Sequence, residues 1–141
     1  MKINDSKENN LVSKKIQEYP EPVQNIANEI RSLIHEVART EKLGPVQESL
    51  KWGEPSLSTG KGTPIRFDWK SKNPDNFYLF FNCQTILVET FTAIYGDFLK
   101  TEGRRAVILN LREKFPKKII RDCISMALRY HQIKHLRLLG A

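Results

Sequence analysis

The residue types best suited to ligand binding in this sequence lie in one short segment, Lys51 to Pro55. Trp52 supplies a flat apolar surface and one N–H donor, and the flanking Lys51 and Glu54 carry opposite charges. Arg66 falls on the polar side of the next predicted strand, so we expect it close to this segment. Together these residues predict a small polar pocket with an aromatic wall. The alternative is a turn that only joins two elements, with Trp52 packed over the core.

A second candidate lies beside Gly103, where Arg104 and Arg105 follow a predicted turn. A glycine turn exposes backbone N–H groups, and two guanidinium groups next to it favour binding of a small anion. The binding hypothesis built on these two candidates includes no catalytic residue, no metal ligand and no cofactor. Its ligand-binding residues are Lys51, Trp52, Glu54, Arg66, Arg104 and Arg105.

The cysteines and histidines give little support to an enzyme. Cys83 as a nucleophile would need a His or a helix N-terminus beside it, and no His is near it in sequence. Cys123 falls on an apolar stripe and is predicted to be structural. His131 and His135 are four residues apart, a spacing that can begin a metal site on a helix, but a surface pair is the simpler interpretation. The sequence also shows no P-loop, dinucleotide fingerprint, G-x-S-x-G or paired-carboxylate motif, so we expect a non-enzymatic domain.

Positive charge is concentrated in the last third of the chain. The net charge is +7, and residues 100–141 alone hold 11 Lys and Arg against 3 Asp and Glu. A basic stripe is predicted along the last long helix and its continuation: Lys114, Lys118, Arg121, Arg129, Lys134 and Arg137. Such a stripe could contact phosphates with a steep salt dependence. No aromatic residues are interleaved with it for base stacking, so a solvated helix face is the alternative.

Length and composition indicate one domain. The 141 residues are 40% hydrophobic and 28% charged, as in ordinary globular proteins. We therefore expect a single domain over residues 1–141. No apolar run approaches the roughly 18 residues that cross a bilayer, so no membrane partner is predicted. The polar first residues and two unpaired cysteines favour a reducing, cytoplasmic location.

Apolar periodicity predicts helices near both ends of the chain. The first is expected from Ser6 to Tyr19. The second follows Pro20 and Pro22, carries apolar residues at three- and four-residue steps, and should end near Gly44-Pro45. Pro116 should start the last long helix, whose buried stripe is Ile119, Ile120, Cys123, Ile124, Ala127 and Leu128. The tail from Ile133 to Leu139 is expected to pack loosely.

Between these helices the period changes to that of strands. A helical turn is predicted at Glu48–Lys51, followed by an irregular stretch at Trp52–Pro55. A later segment is predicted to start like a strand and to continue as a helix that ends near Tyr95. The predicted strands are Ser56–Thr59, Ile65–Trp69, Phe77–Phe81 and Ala106–Leu109. Gly60 to Gly62 is predicted to be a tight turn, since its glycines tolerate positive φ. The strands are too close together for parallel crossovers. The fold class is therefore α+β, with a small antiparallel sheet packed against the N-terminal and C-terminal helices.

Two stretches resemble the YdhG-like domain family. Tyr19 to Gln24, followed by an amphipathic helix, resembles the start of that domain, and Glu48 to Ser56, with its central Lys-Trp-Gly-Glu-Pro, is the more specific mark. The resemblance covers about residues 11–131. It implies an antiparallel sheet packed against helices. The family consists mainly of domains of unknown function, and some members are labelled frataxin-like iron chaperones.

Three functional hypotheses follow. The first is a binding domain for a small anionic ligand or a protein partner near the Lys51–Pro55 segment. The second, implied by the resemblance alone, is iron binding, although hard cations favour carboxylate ligands and this chain is basic. The third is electrostatic nucleic-acid binding through the basic C-terminal helix, which lacks any recognised nucleic-acid-binding motif. The sequence does not identify the ligand or the oligomeric state.

Overall fold

The computed structural model describes residues 7–141, with side chains from residue 10 onward. The predicted start of the first helix at Ser6 lies outside this range. The helices are α1 (Lys7–Gln17), α2 (Glu21–Thr40), α3 (Leu87–Tyr95), α4 (Lys117–Leu128) and α5 (Tyr130–Ile133). The strands are β1 (Gln47–Lys51), β2 (Glu54–Ser58), β3 (Ile65–Trp69), β4 (Asn76–Phe80), β5 (Lys100–Glu102) and β6 (Ala106–Asn110). Short 3-10 helices cover Gly96–Phe98 and Arg137–Gly140.

Within the described residues, the six strands form one antiparallel sheet in the order β1-β2-β3-β4-β6-β5. Apolar side chains from alternate strand positions join buried residues of α1, α2, α3 and α4 in one hydrophobic core. The predicted α+β class and antiparallel sheet are confirmed. None of the described helices has the length and apolar character needed to span a membrane.

Helix α2 has the expected amphipathic pattern but ends earlier than predicted. Pro20 is its N-cap, and its buried stripe runs from Val23 to Ala38. The predicted end near Gly44-Pro45 is wrong, because the last helical residue is Thr40. Lys42 and Gly44 then adopt positive φ angles of 57° and 87°. These angles are incompatible with a right-handed α-helix. This exit directs the chain into β1.

The predicted helical turn at Glu48–Lys51 is wrong, since these residues belong to β1. They pair with β2 in a tight hairpin, in which Lys51 lies opposite Glu54. The two loop residues, Trp52 and Gly53, have φ angles of 56° and 80°, as a type I′ turn requires. Pairing with β2 outweighs the local helical preference of the segment, and the irregular stretch is reduced to two residues.

The predicted turn at Gly60 to Gly62 is present, although neither glycine adopts positive φ. Gly62 is required for another reason. A Cβ at Gly62 would lie 2.2 Å from the Ala127 carbonyl oxygen, whereas a Cβ at Gly60 would meet nothing within 4 Å. Hydrogen bonds from Thr63 N to Ala127 O and from the Thr59 hydroxyl to Leu128 O fasten the loop to the end of α4.

The remaining elements are mostly as predicted. Strands β2, β3, β4 and β6 are confirmed, and so is the start of α4 at Pro116, its N-cap. The strand-like start before α3 is wrong: Thr85 lies in a turn, with its amide and hydroxyl both bonded to Asn82 O. Strand β5, of only three residues, was not predicted. The tail from Ile133 to Leu139 is anchored at its two ends, where Ile133 and Leu139 are buried, and is exposed between them, as at Leu136 and Leu138.

Candidate functional site

A row of three side chains crosses the sheet on the face opposite the hydrophobic core, which we call the outer face. Ser56 of β2 lies opposite Arg66 of β3, and Arg66 lies opposite Phe80 of β4. Their sequence neighbours, including Leu57 and Phe67, point into the core, so alternation places this row outward. The row lines one side of a cavity of about 410 Å³. We refer to this cavity as the hairpin cavity.

The rest of the hairpin cavity is formed by loops. Lys51 and Trp52 reach it from the β1–β2 hairpin, and Arg105 reaches it from the β5–β6 loop. Pro64 and the segment Phe81–Cys83 complete the lining. Among the described residues that line this cavity, three are cations and none is a carboxylate. The site is therefore electropositive.

Two aromatic rings and a carboxylate hold the arginines. The Arg105 guanidinium lies over the Phe80 ring, 4.9 Å from its centroid, and Phe80 stacks on Tyr78 with a centroid separation of 5.8 Å. Arg66 Nε is 3.7 Å from Glu54 Oε1, beyond hydrogen-bonding distance. Both guanidinium groups thus keep N–H donors for a ligand while their planes are restrained.

Ser56 is the most unusual polar group of the site. It is only 3% exposed and lines the cavity, yet its hydroxyl forms no hydrogen bond with any residue in the described range. Nearly all buried polar groups in folded proteins have a partner, and an unpaired one destabilises the fold. A hydroxyl in this position can donate to an acceptor that enters the cavity.

Trp52 does not pack over the core, so that part of the structural alternative is wrong, although the segment is indeed a turn that joins two elements, β1 and β2. Its side chain is at the tip of the hairpin, and the residue is 91% exposed. Its φ of 56° is rare for a bulky residue and favours Asn, Asp or Gly. Trp52 therefore places an indole at the rim of the cavity, with a backbone conformation that other residue types adopt more readily.

Glu54 contacts Arg66 but does not line the cavity. Burial raises the pKa of Glu54 above its ordinary value; Arg66 opposes this rise, and the nearby carboxylate of Asp68 adds to it. Asp68 is itself buried and accepts hydrogen bonds from the Tyr19 hydroxyl at 2.6 Å and from Lys70 Nζ at 3.0 Å.

The structure brings together most but not all of the predicted site. Lys51, Trp52, Arg66 and Arg105 line one cavity, and Glu54 contacts Arg66 from behind. Arg104 is not in the lining; its guanidinium donates to Glu89 Oε1 at 3.3 Å. Arg104 and Arg105 are adjacent in sequence and differ in this respect.

Two of the six residues of the basic stripe are paired with acidic residues. Arg121 forms an ion pair with Glu36 of α2, and Arg129 Nε lies 3.5 Å from Glu41 Oε1. The stripe of α4 therefore serves in part to dock α4 against α2. It carries less uncompensated charge than the sequence suggests.

The cysteines and histidines fall in separate places. Cys123 is fully buried, and burial raises the pKa of its thiol, as for a structural residue. Cys83 is exposed and lines the hairpin cavity. Helix α5 ends at Ile133, so His135 lies beyond it and does not share a helical face with His131. The described residues contain no group of three or more His, Cys, Asp or Glu suited to a metal ion.

Sequence reasoning missed one charged cluster altogether. The Glu48 side chain is 1% exposed and accepts bonds from Arg31 Nη2 at 2.5 Å, from Arg31 Nε at 3.0 Å, and from His35 Nε2 at 2.5 Å if that nitrogen carries the proton. Burial alone would raise the pKa of Glu48, but the bonds to His35 and Arg31 outweigh it and hold the pKa below its usual range. The four-residue spacing of Arg31 and His35 on α2 was the available signal. It was missed because Glu48 was assigned to a helical turn.

Ser56 and Phe80 were also missed as site residues. Phe80 was predicted only as part of a central apolar strand, and Ser56 only as the first residue of a strand. Ser56 and Phe80 lie beside Arg66 only because of the strand register, which is set by the pairing of β2 with β3 and of β3 with β4. Alternation within β3 was the one usable signal, since it already placed Arg66 away from the core.

A second cavity, of about 500 Å³, lies near Phe98 and the end of β6. Its charged lining is mixed: Glu29, Asp97, Glu113, Lys100 and Lys114. Since both signs are present, this cavity shows no preference for one ligand charge. The hairpin cavity is the better candidate because its charged lining has one sign and its buried hydroxyl has no partner among the described residues.

No family model, curated protein or solved structure matches this chain. The resemblance to the YdhG-like family therefore stays a prediction, and the site must be interpreted from its own geometry.

Proposed function

We propose that this protein is a binding domain that holds a small anionic ligand in the hairpin cavity. The observation that carries the proposal is the unpaired, buried hydroxyl of Ser56 in a lining whose charged side chains are all cationic. A carboxylate or phosphate oxygen would accept from this hydroxyl and from the guanidinium groups of Arg66 and Arg105. Hydrogen bonds to ionised groups are roughly twice as strong as neutral ones.

The arginines are prepared for this role. Stacking on Phe80 restrains Arg105, so fewer side-chain conformations are lost on binding. Arg66 retains donors because its contact with Glu54 is long, at 3.7 Å. Lys51 adds a third, more mobile charge at the rim. The volume of about 410 Å³ falls in the range of small-molecule sites, about 300–1,000 Å³.

The proposal is tested by titrating the protein with inorganic phosphate and with acetate by calorimetry at low ionic strength. We expect saturable binding of at least one anion, weakened by added chloride. Arg105→Ala should weaken it about tenfold, since a hydrogen bond to a charged group contributes roughly 1.5–3 kcal/mol. Ferrous iron and short nucleic acids, the alternatives left open by the sequence, belong in the same screen.

Arg104→Ala is the matched control. It removes the same charge one residue away, from a side chain that contacts Glu89 outside the cavity. Equal losses in the two variants would indicate a general effect of net charge and would contradict the proposed site. A protein with no affinity for any anion tested would contradict the function itself.

A further inference from the structure

Two features of Trp52 have no compensation among the described residues. The residue is 91% exposed, so its indole gains little from burial, and its φ of 56° is unfavourable for a bulky side chain. Asn would occupy this turn position with less strain and without exposing apolar surface. Exposed apolar surface and backbone strain in one residue commonly mark a binding site.

The size of the cavity gives a second, independent observation. A volume of about 410 Å³ is far larger than a phosphate or carboxylate group needs. The anion-binding donors, Ser56, Arg66 and Arg105, lie on the sheet and the β5–β6 loop, whereas Trp52 lines the cavity from the hairpin tip. A ligand that contacts both must carry an anionic group and a second part that reaches the indole.

We propose that the ligand is a planar aromatic ring bearing a phosphate or carboxylate, with the ring stacked on Trp52 and the anionic group held by Ser56, Arg66 and Arg105. The inference rests on the proposed anion-binding function and specifies its ligand class. Stacking suits the chemistry of this wall, because an indole has a large flat face and only one polar atom. It also accounts for a Trp at a turn position where Trp is otherwise disfavoured.

The test uses pairs of probes that share an anionic group and differ in the ring. Adenosine 5′-monophosphate is compared with ribose 5-phosphate, and benzoate with cyclohexanecarboxylate. We expect the aromatic member of at least one pair to bind about tenfold more tightly, a gain of the order that stacking of one ring on an aromatic side chain commonly gives. The pair that shows the difference identifies whether the anionic group is a phosphate or a carboxylate.

Variants of Trp52 assign the preference to the indole. Trp52→Ala should abolish the difference within the pair and leave the affinity of the non-aromatic member within about twofold. Trp52→Phe should retain most of it, because a phenyl ring also stacks. Ligand should quench the fluorescence of the wild type but not of Trp52→Phe, in which Trp69 remains, with its Nε1 bonded to Pro74 O.

The results separate this inference from the function on which it rests. If inorganic phosphate or acetate binds but neither aromatic probe exceeds its partner, the ring assignment is wrong and the anion site stands. If the aromatic preference persists in Trp52→Ala, the ring binds elsewhere and the inference is overturned. If no anion binds at all, the proposed function fails first.

Discussion

Glu48 and Ser56 are buried polar residues on neighbouring strands of one hairpin, and they face opposite sides of the sheet. Glu48 lies opposite Leu57 and therefore on the core side, where Arg31 and His35 satisfy its carboxylate. Ser56 faces outward, and its hydroxyl has no partner within the described residues. On the core side of the hairpin the buried carboxylate is satisfied by its neighbours, whereas the outer side offers hydrogen-bond donors and an exposed indole. This difference separates the part of the sequence that stabilises the fold from the part available for binding.

The largest expected effect comes from removing the partner of Glu48. Arg31→Met should lower the free energy of unfolding by roughly 3 kcal/mol, because it leaves a buried carboxylate with His35 as its main partner. Urea denaturation measures this change. Arg39→Met on the exposed part of α2 is the control, expected within about 0.5 kcal/mol of the wild type. Equal losses in the two variants would show that the Glu48 cluster does not stabilise the core side.

Gly62→Ala should destabilise the protein by roughly 2 kcal/mol, because its Cβ would collide with the backbone of Ala127 at the end of α4. Gly60→Ala, two residues away, meets open space and should leave the midpoint of thermal unfolding nearly unchanged. If both substitutions are tolerated, the β2–β3 loop does not pack against α4 as described. The register that aligns Ser56 with Arg66 would then be in question too.

Acid should weaken the core side through Glu48. The folded-state pKa of Glu48 lies below its ordinary value of 4.5, so the unfolded chain binds the proton more readily. The stability from this cluster is therefore present above pH 4.5 and is lost as the pH falls below it. Glu48→Gln should show a shallower fall in stability between about pH 5 and pH 3 than the wild type. Parallel curves for the two proteins would contradict the role of the Glu48 charge.

Trp52→Asn should stabilise the fold, by about 0.5–1 kcal/mol, since Asn adopts positive φ more readily and exposes no apolar ring. Thermal unfolding of the wild type and the variant measures the gain. A loss of stability would mean that the indole makes contacts that support the hairpin. Stabilisation together with loss of ring-dependent affinity would mark Trp52 as a residue retained for binding.

The elements of the fold were largely predictable, and the site only in part. Helix α2 and strand β3 carry clear periods, so their existence follows from the order of apolar residues. Strand β1 and the partnership of Glu48 were not predictable from local patterns, since both depend on pairing with β2 and packing against α2. Trp52 and Arg66 were recognised from residue type. Ser56 has no such signal, because its importance arises from register and from the absence of a partner.

The smallest expected effect on folding, and the most direct test of the account, belongs to Ser56. Ser56→Ala removes a buried hydroxyl that has no partner within the described residues, so the free energy of unfolding should not fall below that of the wild type. The central claim concerns binding, and the decisive measurement is the affinity of this folded variant for the anion that binds the wild type most tightly. We predict a loss of at least about tenfold, since a hydrogen bond to a charged group contributes roughly 1.5–3 kcal/mol. An unchanged affinity would show that the hairpin cavity does not hold the anion through Ser56, and the account of the outer face would be wrong.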